Sequence, residues 1–285
     1  MTGRPNLTDP PTAPTFTVRF WGVRGSIASP GPQTARYGGN TSCLEVRCGD
    51  TRLILDAGTG IRPLGEALAR QGPVDLDLLL THSHFDHICG LPFFAPVFDP
   101  DSRVRLWAGH LPPDRRLRSV LRTMMSSPLF PVPVEIFRAD CAFRDFDCGE
   151  VLEPKPGVTV RTIPLNHPDR AVGYRIEFAG RSFCYITDTE HGGGDRDRLV
   201  EFVREAEVMV YDSTYTDQEY SARIGWGHST WQECLRVAEA AGVGRAVLFH
   251  HDPARTDDEL DRIGAEAAAM RPGTLVAREG LELTV

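Results

Sequence analysis

A short polar segment of the chain concentrates four side chains that can bind metal ions. His82 and His84 lie two positions apart, and Asp86 and His87 follow within the same six residues. The segment comes directly after Asp75–Thr81, an apolar run typical of a strand buried on both faces. Side chains two apart on a strand leave it on the same side, and a following turn lets neighbouring residues point back to the same cavity. Imidazole and carboxylate groups suit zinc-like ions, so the segment predicts a metal site at a strand end.

Three further apolar runs, each typical of a strand, also end in potential metal ligands. These ligands are His167, Asp188 and the adjacent pair His250 and His251. Because side chains alternate along a strand, only one histidine of the pair can face a shared site. Taken singly, each residue has an ordinary alternative as a surface histidine, a capping group or an Asx turn. Four strand ends that all present such residues indicate one shared metal site at the edge of a sheet.

The elements that must position these residues predict an α/β fold. A strand-rich first half precedes a regular alternation of helix and strand, which favours two sheets with helices outside them in one domain, residues 16–285. Residues 1–15, rich in proline and threonine, are expected to form a disordered leader. The predicted strands are 17–21, 43–47, 52–55, 75–81, 104–107, 158–163, 173–178, 182–186, 208–211 and 246–249. The predicted helices are 61–70, 114–125, 196–204, 230–241 and 257–270, the last two opening with Thr-x-x-Glu capping boxes.

Composition excludes several classes of function. No apolar run approaches the roughly 18 residues that a membrane span needs, and the N-terminus shows no signal-peptide pattern. Seven cysteines without a Cys-x-x-Cys pair are typical of reduced thiols in the cytoplasm. The net charge of −8, with no basic run, disfavours a large nucleic acid as partner. No glycine-rich dinucleotide fingerprint or phosphate loop is present in the sequence.

The histidine-rich segment also carries a family resemblance. Thr81-His82-Ser83-His84-Phe85-Asp86-His87, followed by Gly90-Leu91-Pro92, resembles the signature of the metallo-β-lactamase superfamily. The match resembles most the phosphodiesterase branch, which includes RNase Z and the cyclic-phosphodiester hydrolases. It covers most of the chain from about residue 17 and implies a single-domain, four-layer αββα sandwich.

The resemblance also implies a dinuclear site with two divalent metal ions, Zn²⁺ by default and Mn²⁺ as the alternative. In the family pattern the first metal is held by His82, His84 and His167, the second by Asp86, His87 and His250, and Asp188 bridges both. The pattern therefore favours His250 over His251. Asp56, which follows a strand, falls where the family has a supporting aspartate behind the ligands.

Two further motifs point to phosphoryl chemistry. Gly227-His228-Ser229-Thr230 and Tyr211-Asp212-Ser213-Thr214 resemble paired motifs of the phosphodiesterase branch, in which an acidic residue orients a histidine that assists the leaving group. A histidine held near a carboxylate suits a general acid near neutral pH. We therefore expect His228 and Asp212 to act in catalysis, together with Asp86. Gly38-Gly39-Asn40-Thr41-Ser42 resembles the substrate-side loop of the branch, but such a turn needs no function.

The combined hypothesis is hydrolysis of a small phosphodiester by a metal-bound hydroxide, with a cyclic nucleotide as one candidate. RNase Z-like cleavage of tRNA is one alternative, but only twenty residues separate His167 from Asp188, which leaves no room for the tRNA-gripping arm that the resemblance implies there. The other enzymatic alternative is a lactone, thioester or β-lactam hydrolase. A module that kept the fold and lost activity would lack ligands, and here every position is filled. Residues 93–146 are expected to shape the pocket, and a homodimer is the common default for the oligomeric state.

Overall fold

Two seven-stranded sheets packed face to face form the centre of the computed structural model, which describes residues 14–285. The predicted N-terminal leader therefore lies outside the described residues except for Pro14 and Thr15, which directly precede the first strand. Among the described residues, no helix combines the length and the apolar character required to cross a bilayer.

The first sheet is built by the N-terminal half and closed by the C-terminus. Its strands in chain order are β1 (Phe16–Gly22), β2 (Cys43–Cys48), β3 (Thr51–Leu55), β4 (Asp75–Leu80), β5 (Arg103–Ala108) and β6 (Asp140–Asp145). The last strand of the chain, β14 (Glu282–Thr284), pairs antiparallel with β1 and forms one edge. From β3 to β6 all neighbours are parallel, so their carboxyl ends meet at one edge of the sheet.

The second sheet repeats this plan with later strands. Its members are β7 (Val151–Lys155), β8 (Val158–Leu165), β9 (Ala171–Phe178), β10 (Arg181–Ile186), β11 (Val208–Asp212), β12 (Arg245–Phe249) and β13 (Leu275–Val276). Strands that are consecutive in the chain are neighbours throughout this sheet. Strands β7 to β10 are antiparallel, whereas β10 to β13 are parallel. Strand β8 runs in the same direction as β10, because each is antiparallel to β9, so the ends of β8, β10, β11 and β12 share an edge.

Helices cover the outer face of each sheet. The α-helices are α1 (Ile61–Ala69), α2 (Phe85–Ile88), α3 (Leu117–Met124), α4 (Arg196–Phe202), α5 (Asp217–Tyr220), α6 (Trp231–Ala240) and α7 (Asp257–Met270). Short 3₁₀ turns occupy Leu91–Phe93, Ala95–Phe98 and Val134–Ile136.

Three apolar clusters define the layers. One lies between the sheets and combines side chains such as Phe20 and Val46 with Tyr185 and Phe249 from the opposite sheet. A second packs the first sheet against α1 and α3, and a third packs the second sheet against α4, α6 and α7. The layers therefore run helix, sheet, sheet, helix, which confirms the predicted single-domain αββα sandwich.

Several elements differ from the sequence-based expectation. Strands β6, β7, β13 and β14 and the short helices α2 and α5 were not predicted; each is short, or contains residues without a clear apolar period. Helix α3 begins at Leu117 rather than at residue 114. The capping box predicted at Thr256 is complete, whereas Thr230 caps α6 with its own side chain only, because the Glu233 carboxylate pairs with Arg196 and Arg236 instead.

Candidate metal centre

The ligand-type residues predicted from the four strand ends meet in one place, between the carboxyl edges of the two sheets. His82 and His84 follow β4, and Asp86 and His87 lie in α2, which turns the chain back over the edge of the first sheet. The remaining three residues follow strands of the second sheet, and they are His167 after β8, Asp188 after β10 and His250 after β12. The structure thus brings all seven predicted ligands together in groups whose ligand atoms lie within 4.8 Å of one another.

One half of the cluster, which we call the first half-site, contains His82, His84 and His167. The Nε2 atom of His167 lies 3.0 Å from the Nδ1 atom of His84. Its three ligand atoms belong to one group with room for a single ion. The His84 side chain is 39% exposed, so this half opens to solvent.

The other half, the second half-site, contains Asp86, His87 and His250. The Nε2 atom of His87 lies 3.2 Å from Oδ2 of Asp86 and 3.4 Å from Nε2 of His250. Both imidazoles are fully buried. The backbone N–H of Ser26 donates to Oδ2 of Asp86 at 2.8 Å, which fixes that carboxylate from the loop after β1.

Asp188 lies between the two half-sites and presents one oxygen to each. Its Oδ2 atom is 3.7 Å from Nε2 of His82 and 3.6 Å from Nε2 of His167. Its Oδ1 atom is 3.2 Å from Nε2 of both His87 and His250. Although burial opposes ionisation, the surrounding imidazoles hold the pKa of Asp188 well below its usual value. A carboxylate in this position can bridge two cations.

Hydrogen bonds on the far side of each ring fix which nitrogen faces inward. Nδ1 of His87 donates to Oδ2 of Asp56 at 2.9 Å, and Nδ1 of His167 donates to the Gly227 carbonyl at 2.8 Å. Nδ1 of His250 lies 3.1 Å from the Thr214 hydroxyl. With Nδ1 engaged in this way, Nε2 of each ring is the nitrogen directed into the cluster, the arrangement that metal-binding histidines show.

The Nε2 atom of His82 is the direct indication that a cation belongs here. The Thr81 hydroxyl donates to Asp56, so it accepts from Nδ1 of His82 at 3.0 Å and leaves Nε2 as the acceptor. That Nε2 atom is buried and has no hydrogen-bond partner among the described residues. Burial also holds the pKa of His82 well below its usual value, so the ring is neutral. A buried lone pair without a donor, beside ionised carboxylates, fits divalent metal ions.

Asp56 supports both half-sites from behind. It accepts from the Thr81 backbone N–H at 2.8 Å and from the Tyr185 hydroxyl and His87, each at 2.9 Å. The carboxylate is completely buried between the sheets. Because all these partners donate to it, the carboxylate holds the ring of His87 in position.

His228 and Asp212 form a pair beside the bridge. Nδ1 of His228 donates to Oδ2 of Asp212 at 3.0 Å and lies 3.9 Å from Oδ2 of Asp188. Burial opposes protonation of His228, but the charges of Asp212, Asp188 and Asp86 outweigh it and raise its pKa to about 9. The Thr214 hydroxyl connects Asp212 to His250, since it donates to Asp212 at 2.7 Å. His228 is therefore charged at neutral pH and keeps its Nε2 atom free to donate.

Unusual backbone conformations turn the residues at three strand ends inward. Asp56, Asp188 and His250 have φ values of 61°, 56° and 60°, in the left-handed region that non-glycine residues rarely adopt. Such strain costs on the order of 1–3 kcal/mol per residue and is concentrated at functional sites. Position 25 also requires glycine, because a Cβ atom there would lie 2.4 Å from the His250 ring.

His251 lies apart from the cluster. Its Nε2 atom donates to the Ala277 carbonyl at 2.8 Å, and burial lowers its pKa to about 3. The geometry thus gives the two adjacent histidines different surroundings, with only His250 directed into the group of ligand atoms.

Several supporting residues had no recognisable signal in the sequence. Tyr185 is an ordinary core residue of β10 until the packing of the sheets brings it to Asp56. Ser26 acts through its backbone, which no side-chain pattern reveals. His110, which follows β5, holds the Ser83 hydroxyl at 3.0 Å and was also missed. Thr214 is the exception, because its position two residues after Asp212 could have indicated a supporting role.

Comparison with known proteins agrees with this architecture. A family model described as a beta-lactamase superfamily domain matches residues 51–251. The ribonuclease Z of Haloarcula marismortui is 26% identical, over 95% of this chain and 97% of its own. A diphosphatase from the PhnP family has a TM-score of 0.67 at 20% identity and covers 95% of this chain and 97% of its own. Zn²⁺-bound PqqB from Methylobacterium extorquens has a TM-score of 0.69 at 21% identity and covers 94% of this chain and all of its own.

Two sheets between helices, with a histidine and aspartate cluster at their shared edge, define a metal-dependent hydrolase of the metallo-β-lactamase fold. The family match spans well over half of the sequence, so the chain belongs to the beta-lactamase superfamily. The fold implies divalent metal ions.

Proposed function

We propose that the protein is a dinuclear metal-dependent phosphodiesterase that acts on a small phosphodiester, with a cyclic nucleotide as one candidate. The observation that carries this proposal is the His228–Asp212 pair, a charged proton donor placed next to a carboxylate that faces two metal half-sites. A phosphodiester needs both charge neutralisation at phosphorus and a proton for its leaving oxygen.

The ligand sets follow from the two half-sites. His82, His84 and His167 would hold one ion, Asp86, His87 and His250 the other, and Asp188 would contact both. The imidazole-rich donor set favours Zn²⁺, with Mn²⁺ as the alternative. Two such ions, when bound, supply a nucleophilic water ionised near neutral pH and offset the negative charge of the phosphoryl group.

The protein's own residues orient the ligand rings and donate a proton. Asp56 and Thr81 keep the rings of His87 and His82 in the orientation that directs Nε2 inward. Asp212 accepts from Nδ1 of His228, which leaves the Nε2–H to donate to the leaving oxygen or to a phosphoryl oxygen. Because the pKa of His228 is raised to about 9, the ring holds this proton at neutral pH.

RNase Z activity is the second candidate, favoured by the name of the curated relative. Against it, the stretch between His167 and Asp188 is filled by β9, β10 and their short connections, which leaves no protruding arm for tRNA there. The net charge of −8 also disfavours a large polyanion. Hydrolysis of a lactone, thioester or β-lactam would leave the charged His228–Asp212 pair without an evident role.

The test is hydrolysis of bis(p-nitrophenyl) phosphate by protein reconstituted with zinc or manganese and analysed for metal. Asp188→Ala removes the shared carboxylate and is expected to abolish cleavage. His228→Ala is expected to reduce cleavage strongly while both ions stay bound. Asp101→Asn serves as the control, because Asp101 is exposed and lies just before β5, at the edge of the first sheet opposite the cluster. Turnover of a lactone or thioester instead of the diester would contradict the proposed substrate class, and cleavage of pre-tRNA in preference to small diesters would favour the second candidate.

A further inference from the structure

A large apolar cavity opens beside the metal centre and has no role in the chemistry described so far. It measures about 830 Å³, within the range of about 300–1,000 Å³ that holds small organic ligands. Its floor includes Phe85 and Ile88 of the ligand-bearing segment, and its opposite wall includes Val120 and Met124 of α3. The contact between the rings of Phe93 and Phe130, at 5.9 Å, closes one side.

The cavity and the open side of the metal centre are neighbours. Ser83 lines the cavity, and both adjoining residues in the chain, His82 and His84, belong to the first half-site. His84 is 39% exposed, and Phe85, which directly follows it and lines the cavity, is 70% exposed, so the first half-site and the cavity border the same exposed stretch of chain. A molecule with one end at the ions can therefore place its other end in the cavity.

The walls are suited to an apolar group rather than to a nucleotide or a second phosphate. Arg115 is the one charged residue among those that line the cavity in the described part of the chain. The lining has three hydroxyl-bearing side chains and contains no amide or carboxylate that could read the edge of a base. Phe93 and Leu129 are large apolar side chains that remain 56% and 75% exposed at this surface. Such a patch beside a reactive centre is typical of a ligand site.

We infer that the substrate is a phosphodiester in which one alcohol carries a long alkyl chain, and that this chain binds in the cavity. This inference rests on the proposed phosphodiesterase function and narrows its substrate class away from cyclic nucleotides. Burial of the apolar group would supply the binding energy, and the ions and His228 would act on the phosphate.

The first experiment measures kcat/KM for methyl, butyl and octyl p-nitrophenyl phosphate on the metal-loaded protein. Each buried methylene contributes about fourfold, so we expect a rise of at least about tenfold from the methyl to the octyl ester even with partial burial. Phe93→Ser and Leu129→Ser should reduce this octyl-to-methyl ratio. Met270→Ser is the matched control, because Met270 is 65% exposed at the end of α7, away from the cavity.

A second readout does not depend on catalysis. Calorimetry of the zinc-loaded protein with n-octyl(methyl)phosphinate, which has no ester bond to cleave, should show binding with a negative heat-capacity change, which is weakened in Leu129→Ser. Equal rates for all three esters, or no octyl-dependent binding, would overturn the cavity assignment while phosphodiesterase activity stands. Octyl binding without cleavage of any diester would instead overturn the proposed function, and with it the substrate class. Loss of a dimer in Leu129→Ser, with unchanged chain-length dependence, would overturn the inference by showing that a second copy covers this face.

Discussion

The two half-sites of the metal centre have similar ligands but are held in different ways. In the second half-site the rings of His87 and His250 are fully buried, and each is fixed from behind by Asp56 or Thr214. In the first half-site the side chain of His84 is 39% exposed. It lies beside the rings of His82 and His167, and its Nε2 atom is 3.6 Å from the exposed carboxylate of Asp169.

The difference indicates that the two half-sites have different roles. The buried half fixes both of its rings by hydrogen bonds to Asp56 and Thr214, which favours a tightly bound ion. The open half faces solvent and the apolar cavity, where substrate can approach. Asp188 connects the two, so a disturbance in one half reaches the other through a single carboxylate. The following experiments test whether the halves really behave differently.

The largest effect is expected from removing a ligand of the buried half. His250→Gln should lower metal content towards one ion per chain and reduce kcat/KM on the order of 10⁴-fold, because an ion contributes several kcal/mol of transition-state stabilisation. The matched variant His251→Gln keeps a donor for the Ala277 carbonyl and should retain both ions. Metal analysis with diester kinetics measures both, and equal losses in the two variants would refute the choice of His250.

His228 lies between the halves and should affect catalysis without affecting metal. His228→Gln is expected to lower kcat/KM about 10³-fold, within the range for loss of a general acid, with metal content unchanged. The decrease should be smaller for diesters with a good leaving group such as p-nitrophenolate, because these need less proton donation. A decrease that is independent of the leaving group would contradict the acid role and favour electrostatic stabilisation alone.

Substitution of Asp56 tests directly whether the buried half-site depends more on its supporting hydrogen bonds than the open half-site does. Asp56→Asn replaces an acceptor of four donated hydrogen bonds and should weaken binding of the buried ion about 10- to 100-fold. Asp169→Asn changes the exposed carboxylate beside His84 and should have little effect, since its side chain is 91% exposed. Competition with a fluorescent chelator measures both affinities. Similar losses of metal affinity in the two variants would contradict the distinction between a buried and an open half-site.

The smallest expected effect is on the pH dependence of kcat. The carboxylates around His228 outweigh burial and raise its pKa to about 9. The acid form is therefore present below that pH and is lost as the pH rises through the pKa, so kcat should fall on the alkaline side. Bound cations oppose the charge on His228, which places this limb at or below about pH 9. The pH profile of His228→Gln should lack the limb, and an unchanged profile would assign it to another group.

Much of the fold and the ligand cluster could be predicted from the sequence for one physical reason. Buried parallel strands such as β4 and β12 are continuous apolar runs, and the residues directly after them must lie at one edge. Dense ligand-type residues at those positions therefore revealed His82 to His87, and the family pattern added His167, Asp188 and His250.

Other features depend on tertiary contacts that leave no local pattern. The pairing of β14 with β1 joins the two ends of the described chain, and the role of Tyr185 appears only when the sheets pack. The segment around α3 was predicted to shape the pocket, and its sequence supported no further interpretation. Its 3₁₀ turns and loops lack a regular apolar period, so the cavity walls emerge only in three dimensions.

The central claim is that two ions, shared through Asp188, act together on a phosphodiester. The most direct measurement is a titration of metal-free protein with Zn²⁺ or Mn²⁺, in which bound metal and hydrolysis of bis(p-nitrophenyl) phosphate are followed on the same samples. The account predicts that activity continues to rise until two ions are bound per chain, and that Asp188→Ala stays inactive at every ratio. Full activity at one ion per chain, or an active Asp188→Ala variant, would contradict it.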